Sequence, residues 1–206
     1  MYPSILTEEQ KQLLPFVKAC GQRFYLVGGT AVALQIGHRK SIDFDLFSSQ
    51  PLNKQWINKV IKEHNLNFIA RFQDGDQLTG MVNSVQITFY EYPYDIEAAV
   101  QFEDVIFMPD LLTLAAMKAF ALGMRAKWKD YVDLYFIFRD RHDFTAVADK
   151  AESIFGGMFN RKLFRQQLSY YEDVNYKEKV EYLTVPIADD EIKRFLTDVA
   201  TQKFGG

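Results

Sequence analysis

The chain has 206 residues, of which 48% are hydrophobic and 15% aromatic, with a formal net charge of −3. That composition can bury a substantial core and excludes global disorder. The faintly acidic balance excludes a general electrostatic pull toward nucleic acid or anionic lipid. Cys20, the single cysteine, excludes an intrachain disulfide and a cysteine-built zinc site. No stretch approaches the ~18 uncharged apolar residues of a membrane helix, and residues 1–7 lack the basic-then-apolar pattern of a secretory leader. The expected setting is the cytoplasm, with no membrane partner.

In chain order, Thr7-Glu8-Glu9-Gln10 has the pattern of a capping box and predicts a helix to about Gly21, with Pro15 as a kink point. Residues 24–27 form a short apolar strand, Gly28-Gly29 breaks it, and 30–36 predict a short helix. Residues 43–47 alternate acid with apolar, a half-buried strand pattern. After Pro51, residues 53–65 predict an amphipathic helix with Trp56, Ile57, Val60 and Ile61 inward. Residues 66–73 and 77–83 flank Asp74-Gly75-Asp76, a hairpin signal. The clearest strand is 85–92, with Val85, Ile87 and Phe89 on one side and Gln86, Thr88 and Tyr90 on the other. From Met108-Pro109-Asp110 onward the pattern turns helical. Asp110 can cap a helix carrying Leu111, Leu114, Ala115 and Lys118 on one face. Further helices are expected at 131–138, 146–155, 161–171 and 189–204. The expected fold is α/β in the α+β sense: a mixed-sheet core over residues 1–107, then a helical region over 108–206.

Two features carry chemistry. Gly28-Gly29 lets the backbone approach a bulky anion with no Cβ in the way. The following helix aims its free N–H groups and positive dipole end at the same point, and the Thr30 hydroxyl can add a donor. Taken alone, a Gly-Gly pair is more often a tight turn without a ligand. Asp43 and Asp45 then share one strand face. Side by side the two carboxylates repel, and a bound Mg²⁺ (or Mn²⁺) removes the conflict, because such an ion takes one or two carboxylates plus phosphate oxygens and waters. Two solvated acids at a strand edge are the plain alternative. Arg39-Lys40 can neutralise phosphate or sit in a solvated turn.

The combination is more specific than its parts. Thirteen residues lie between Gly29 and Asp43, enough for one short helix and a return to a neighbouring strand. Here the chain resembles the DNA polymerase β-like nucleotidyltransferases, whose signature is a Gly-Gly or Gly-Ser helix opening followed by D-x-D. More closely, Leu26-Val-Gly-Gly-Thr-Ala-Val-Ala-Leu34 and Arg39-Lys-Ser-Ile-Asp-Phe-Asp-Leu46 resemble the AbiEii/AbiGii toxin family of bacterial nucleotidyltransferases. That family often pairs an arginine and a serine with the aspartates, and Arg39 and Ser41 match. Residues 116–122, Arg125 and Lys129-Asp130-Tyr-Val-Asp133-Leu-Tyr-Phe136 resemble its helical motifs, which carry a lysine and then an aspartate. The resemblance spans roughly 24–138. It implies Gly28, Gly29, Thr30, Arg39, Ser41 and Lys118 as nucleotide-binding residues, and Asp43 and Asp45 as metal ligands. Asp43, Asp45, Lys118 and Asp130 would be the catalytic set. It also implies an NTP substrate, an RNA, protein or small-molecule acceptor, and a cognate antitoxin. The cleft would have Asp43 and Asp45 on one wall and Lys118 on the other.

For the downstream residues the simpler alternatives stand beside these. Lys118 lies on an apolar stripe, and its ammonium either reaches a phosphate or snorkels to water. Lys129 and Asp133 are spaced as a helix-supporting i,i+4 pair; alternatively Asp130 or Asp133 fixes Lys118 or Arg125, with Asp130 preferred. His38, His64 and His142 lack metal-ligand spacing. Arg161-Lys162, Arg165, Lys177 and Lys179 read as a solvated face. One departure from the family pattern matters: its third carboxylate should lie on strand 85–92, yet Gln86, Thr88 and Tyr90 are the site-facing residues. Glu91 has the wrong parity unless a bulge turns it inward, and Asp95 follows Pro93. Three readings follow: an active nucleotidyltransferase, a degenerate homologue that binds nucleotide without catalysis, and an unrelated α/β protein with solvated acids.

Overall fold

The computed structural model describes residues 1–202; the final positions of the helix expected to reach 204 lie outside the described residues. The chain forms two compact units, Met1–Asp110 and Leu111–Gly206.

The first unit opens with a 3-10 turn, Pro3–Ile5, and helix α1, Glu8–Cys20. The expected capping box is formed: the Thr7 hydroxyl accepts from the Gln10 N–H at 3.2 Å, and the Gln10 side chain accepts from the Thr7 N–H at 3.1 Å. Strand β1, Tyr25–Val27, runs directly into α2, Gly28–Ile36. The helix therefore starts at the first glycine, two residues ahead of the expected start at 30, because Gly28 takes φ +72° at the junction. Next come β2 (Phe44–Ser48), α3 (Lys54–Glu63), β3 (Ile69–Gln73), β4 (Gln77–Val82) and β5 (Val85–Glu91).

These strands form one mixed sheet in the order β1-β2-β5-β4-β3. β2 and β5 run parallel and every other neighbouring pair runs antiparallel. A parallel pair needs a long crossover, here α3 followed by β3 and β4. The alternation read from 85–92 holds: Val85, Ile87 and Phe89 are fully buried with Leu26, Phe44, Leu46 and Leu78 on the same face. Phe89 meets Phe16 of α1 and Phe24 edge-on, at 6.3 and 5.2 Å between ring centroids. Ile57, Val60 and Ile61 of α3 are buried, whereas Trp56 is only half-buried and packs beside Phe24. A small hairpin, β6 (Val100–Phe102) and β7 (Ile106–Met108), completes the unit. Its three-residue strands are too short to show alternation, so nothing in the sequence announced it.

The second unit is helical: α4 (Leu111–Leu122), α5 (Trp128–Asp140), α6 (Phe144–Phe155), a 3-10 turn (Gly156–Met158), α7 (Arg161–Leu168) and α8 (Asp189–Thr201). α5 starts at Trp128, ahead of the expected 131, where tertiary contacts hold its first turn. The Trp128 N–H donates to the Asn175 carbonyl at 3.1 Å and its indole N–H to Asp189 at 3.1 Å. α7 stops at Leu168 instead of 171, because the Ser169 hydroxyl donates to the Gln166 carbonyl at 3.1 Å and takes over the end of the ladder. The interior is aromatic: Phe120 stacks on Phe155 at 4.1 Å and Phe144 on Phe164 at 5.2 Å. Among the described residues no helix is long and apolar enough to cross a membrane.

Cys20, at the C-terminal end of α1, is 1% exposed, and burial pushes its thiol up to about 12. The nucleophile is the thiolate. Native protein at pH 8.5 should therefore resist iodoacetamide, while the urea-unfolded chain reacts. Equal alkylation rates in the two states, measured by mass spectrometry, would contradict this burial.

Candidate active site

The β1–α2 junction is built around its glycines. Antiparallel pairing sets Val27 opposite Asp45, so the next residue, Gly28, lies against the aspartate side chain. A Cβ on Gly28 would fall 2.0 Å from Asp45 Oδ2. Gly28 is thus required twice, once for its positive φ and once for the space the carboxylate occupies. A Cβ on Gly29 would lie 2.6 Å from an Arg39 guanidinium nitrogen and 2.9 Å from the Ser41 hydroxyl. The two consecutive glycines therefore bring together Asp45, Arg39 and Ser41 at the opening of α2. Arg39 is 1% exposed and donates from Nη1 to the Lys40 carbonyl at 2.9 Å.

Thr30 has a job that the sequence did not suggest. Its buried hydroxyl donates to the Asp43 carbonyl and lies 3.5 Å from the Ser41 carbonyl. It ties the loop before β2 to the first turn of α2, which positions Asp43 next to the same turn. The glycines, Thr30, Arg39, Ser41 and the Asp43-Phe44-Asp45 segment are thus one local structure.

Across the parallel pair, Asp45 stands opposite Thr88, and Thr88 stands opposite Thr79 in β4. Paired residues share a sheet face, so the neighbour of Asp45 is a hydroxyl. Thr79 and Thr88 lie 3.4 Å apart, oxygen to oxygen, and Thr79 also accepts from the Gln77 amide at 2.9 Å. The β2–β5 register is unbroken from Phe44 to Ser48, so no bulge turns Glu91 inward; its carboxylate lies 3.4 Å from the Leu52 N–H. Asp95 lies close enough to Tyr25 that its charge, after burial, helps push that phenol up. Among the described residues no group of three or more His, Cys, Asp or Glu side chains is arranged to hold a metal ion. The pair Asp43 and Asp45 fits an ion that takes one or two carboxylates and completes its shell with phosphate and water.

In the helical unit, Lys118 of α4 is 7% exposed. Its ammonium pairs with Asp130 Oδ1 and Asp133 Oδ2, each at 2.7 Å. Arg125 Nε lies 3.6 Å from Asp130 Oδ2. Of the two expectations for Asp133, a helix-supporting pair with Lys129 or a hold on Lys118 or Arg125, the second is formed. Lys129 pairs with Glu178 at 3.1 Å, and Asp133 is fully buried beside Lys118. The available signal was its apolar surroundings on α5, where an acid needs a buried cation.

A helix that opens on paired glycines against one aspartate on the neighbouring strand and another just before it, over a mixed sheet, defines a nucleotidyltransferase-type core. The family described as nucleotidyl transferase AbiEii toxin, of type IV toxin–antitoxin systems, matches residues 17–203, and the chain belongs to it. An uncharacterized protein of Aquifex aeolicus (strain VF5) is 34% identical over 141 residues, covering 65% of this chain and 68% of the relative. Among solved structures, the fold is similar to MenT4, a nucleotidyltransferase toxin from Mycobacterium tuberculosis H37Rv. The TM-score is 0.59 at 15% identity, over 94% of this chain and 81% of that one. JHP933 from Helicobacter pylori gives 0.56 at 16% identity, over 95% and 91%. At these identities the likeness is one of fold.

Gly28→Ala should strain the junction by about 1–3 kcal/mol and displace the Asp45 carboxylate. The expected result is a folded protein, by circular dichroism, that loses stability of that order in urea denaturation; unchanged stability would contradict the contact. Lys118→Met leaves two buried carboxylates without their shared cation and should cost ~3–5 kcal/mol in urea denaturation. A loss below ~1 kcal/mol, the level of an exposed pair, would show that the ammonium is not buried between them.

Proposed function

We propose that this chain transfers a nucleoside monophosphate from an NTP to a hydroxyl on an RNA, protein or small-molecule acceptor, and that it acts as a toxin restrained by a cognate antitoxin in the cytoplasm. The observation that carries this reading is the convergence on Gly28-Gly29 of the Asp45 carboxylate, the Arg39 guanidinium and the Ser41 hydroxyl.

The triphosphate lies along the opening of α2, where glycines and helix N–H groups accept a bulky anion. Arg39 neutralises its charge, and Ser41 donates to it. Thr30 works through the backbone, holding Asp43 in place. Asp43 and Asp45 hold Mg²⁺ or Mn²⁺, which when bound supplies charge stabilisation at the phosphate oxygens. The acceptor oxygen forms a bond to the α-phosphorus as the bond to pyrophosphate breaks. With Thr88 beside Asp45 in place of an acid, the hydroxyl proton goes to a phosphate oxygen of the substrate. In the helical unit, Asp130 and Asp133 orient Lys118.

The hydroxyl pair Thr79–Thr88 also favours a second reading, a homologue that binds nucleotide without turnover. The two separate cleanly. With each α-labelled NTP, Mg²⁺ and total cellular RNA, the transferase reading gives label on RNA or protein that Asp43→Asn/Asp45→Asn abolishes. NTP binding by calorimetry without label transfer gives the second reading. Thr88→Asp adds a carboxylate opposite Asp45 and should tighten Mn²⁺ binding by about tenfold; no change in Mn²⁺ affinity would show that residue 88 does not face the ion.

A further inference from the structure

At the opposite end of β1 and β2 from the Gly28–Asp45 contact, a cavity of about 890 Å³ opens in the first unit. Tyr25, which begins β1, and Ser48, which ends β2, both line it. They lie ~10 Å along the strands from the glycine turn. The other walls are Arg23-Phe24, the first turn of α3 from Asn53 to Trp56, and Gly75 at the β3–β4 turn. The volume is that of a site for a small organic ligand.

The lining has an unusual charge. The chain holds 27 Asp and Glu against 24 Lys and Arg, yet no carboxylate lines this cavity, while Arg23 and Lys54 do. Among the described residues neither cation has a carboxylate partner. Arg23 lies over the Trp56 ring, 5.1 Å from its centroid, and the Lys54 ammonium donates to the Asp74 backbone carbonyl. The Asp74 carboxylate is turned into its own turn, where it accepts from the Asp76 and Gln77 N–H groups. The N-terminal end of α3 adds its positive dipole end to the same wall. Beside these charges stands a flat, half-buried indole, with its ring 6.2 Å from that of Phe24.

We propose that this cavity binds a nucleoside phosphate, with its base against Trp56 and its phosphate between Arg23 and Lys54. Aromatic stacking takes any base, and the paired cations take the anion. A free mononucleotide and one residue of a nucleic-acid chain share this chemistry. The site is separate from the glycine turn and stands without the transferase reading.

Trp56 and Trp128 are the two tryptophans, so the full chain carries two indole N–H signals in a ¹⁵N NMR spectrum. The Trp56 signal is identified by its loss in Trp56→Phe, and the buried Trp128 signal is the internal control. AMP should move the Trp56 signal saturably. Adenosine should bind at least about tenfold more weakly, and Arg23→Gln/Lys54→Gln should weaken AMP by a similar factor. Asp43→Asn/Asp45→Asn should leave the AMP titration unchanged, which separates this site from the proposed active site. An oligoadenylate that saturates well below AMP identifies a nucleic-acid residue as the occupant, and equal affinity identifies the free nucleotide. The proposal is overturned if neither AMP nor oligoadenylate moves the Trp56 signal, if adenosine matches AMP, or if the aspartate variant abolishes the shift.

Discussion

The close approach of Gly28 to the Asp45 carboxylate is the constraint on which the candidate site depends. Antiparallel pairing of β1 and β2 puts the first residue of α2 against an acid, and only a residue without a Cβ fits there. The same residue has to turn the chain from strand to helix with positive φ. One glycine thus satisfies a steric and a conformational demand together. Gly29 repeats the steric part against Arg39 and Ser41. A buried guanidinium beside a carboxylate-lined turn is costly to desolvate, and the backbone carbonyl of Lys40 supplies part of the compensation.

The row of the sheet that continues from Asp45 gives the site its particular character. Thr88 and Thr79 follow across β5 and β4 and are linked to Gln77 through hydroxyl and amide groups. Such a row adds polarity without adding charge. The mutual repulsion of Asp43 and Asp45 is therefore not increased by a third acid, and the site's affinity for a cation rests on two carboxylates. In the helical unit the two acids have their cation inside the fold: one ammonium is shared by Asp130 and Asp133, and Arg125, more than half exposed, makes up the difference from the solvent side.

Much of the first unit was legible because its signals are local. The capping box at Thr7, the Gly-Gly break, the Asp-Gly-Asp hairpin and the alternation of residues 85–91 each follow from a few neighbouring residues. The parity argument that removed Glu91 and left Thr88 beside Asp45 was legible for the same reason, since alternation needs only an unbroken strand. What escaped depends on contacts between distant segments. The link from Thr30 to the Asp43 carbonyl, the pairing of Lys129 with Glu178, and the stacking of Arg23 on Trp56 involve partners that helix and strand periodicity do not bring together. Hairpin β6–β7 was missed because its strands are shorter than any alternation that could reveal them.

The mixed topology also bears on how the site comes into being. β3, β4 and β5 form a meander of neighbouring segments, whose pairing closes short loops. β2, which carries Asp45, must find β5 about 40 residues downstream in parallel register, and contacts of that separation are slow to form. The strand bearing Asp45 therefore docks onto a sheet that its partners have already begun. During synthesis the chain has released everything from α3 through β5 before Asp45 meets Thr88. A growing polypeptide shorter than that holds the glycine turn and its aspartates but not the Asp45–Thr88 row.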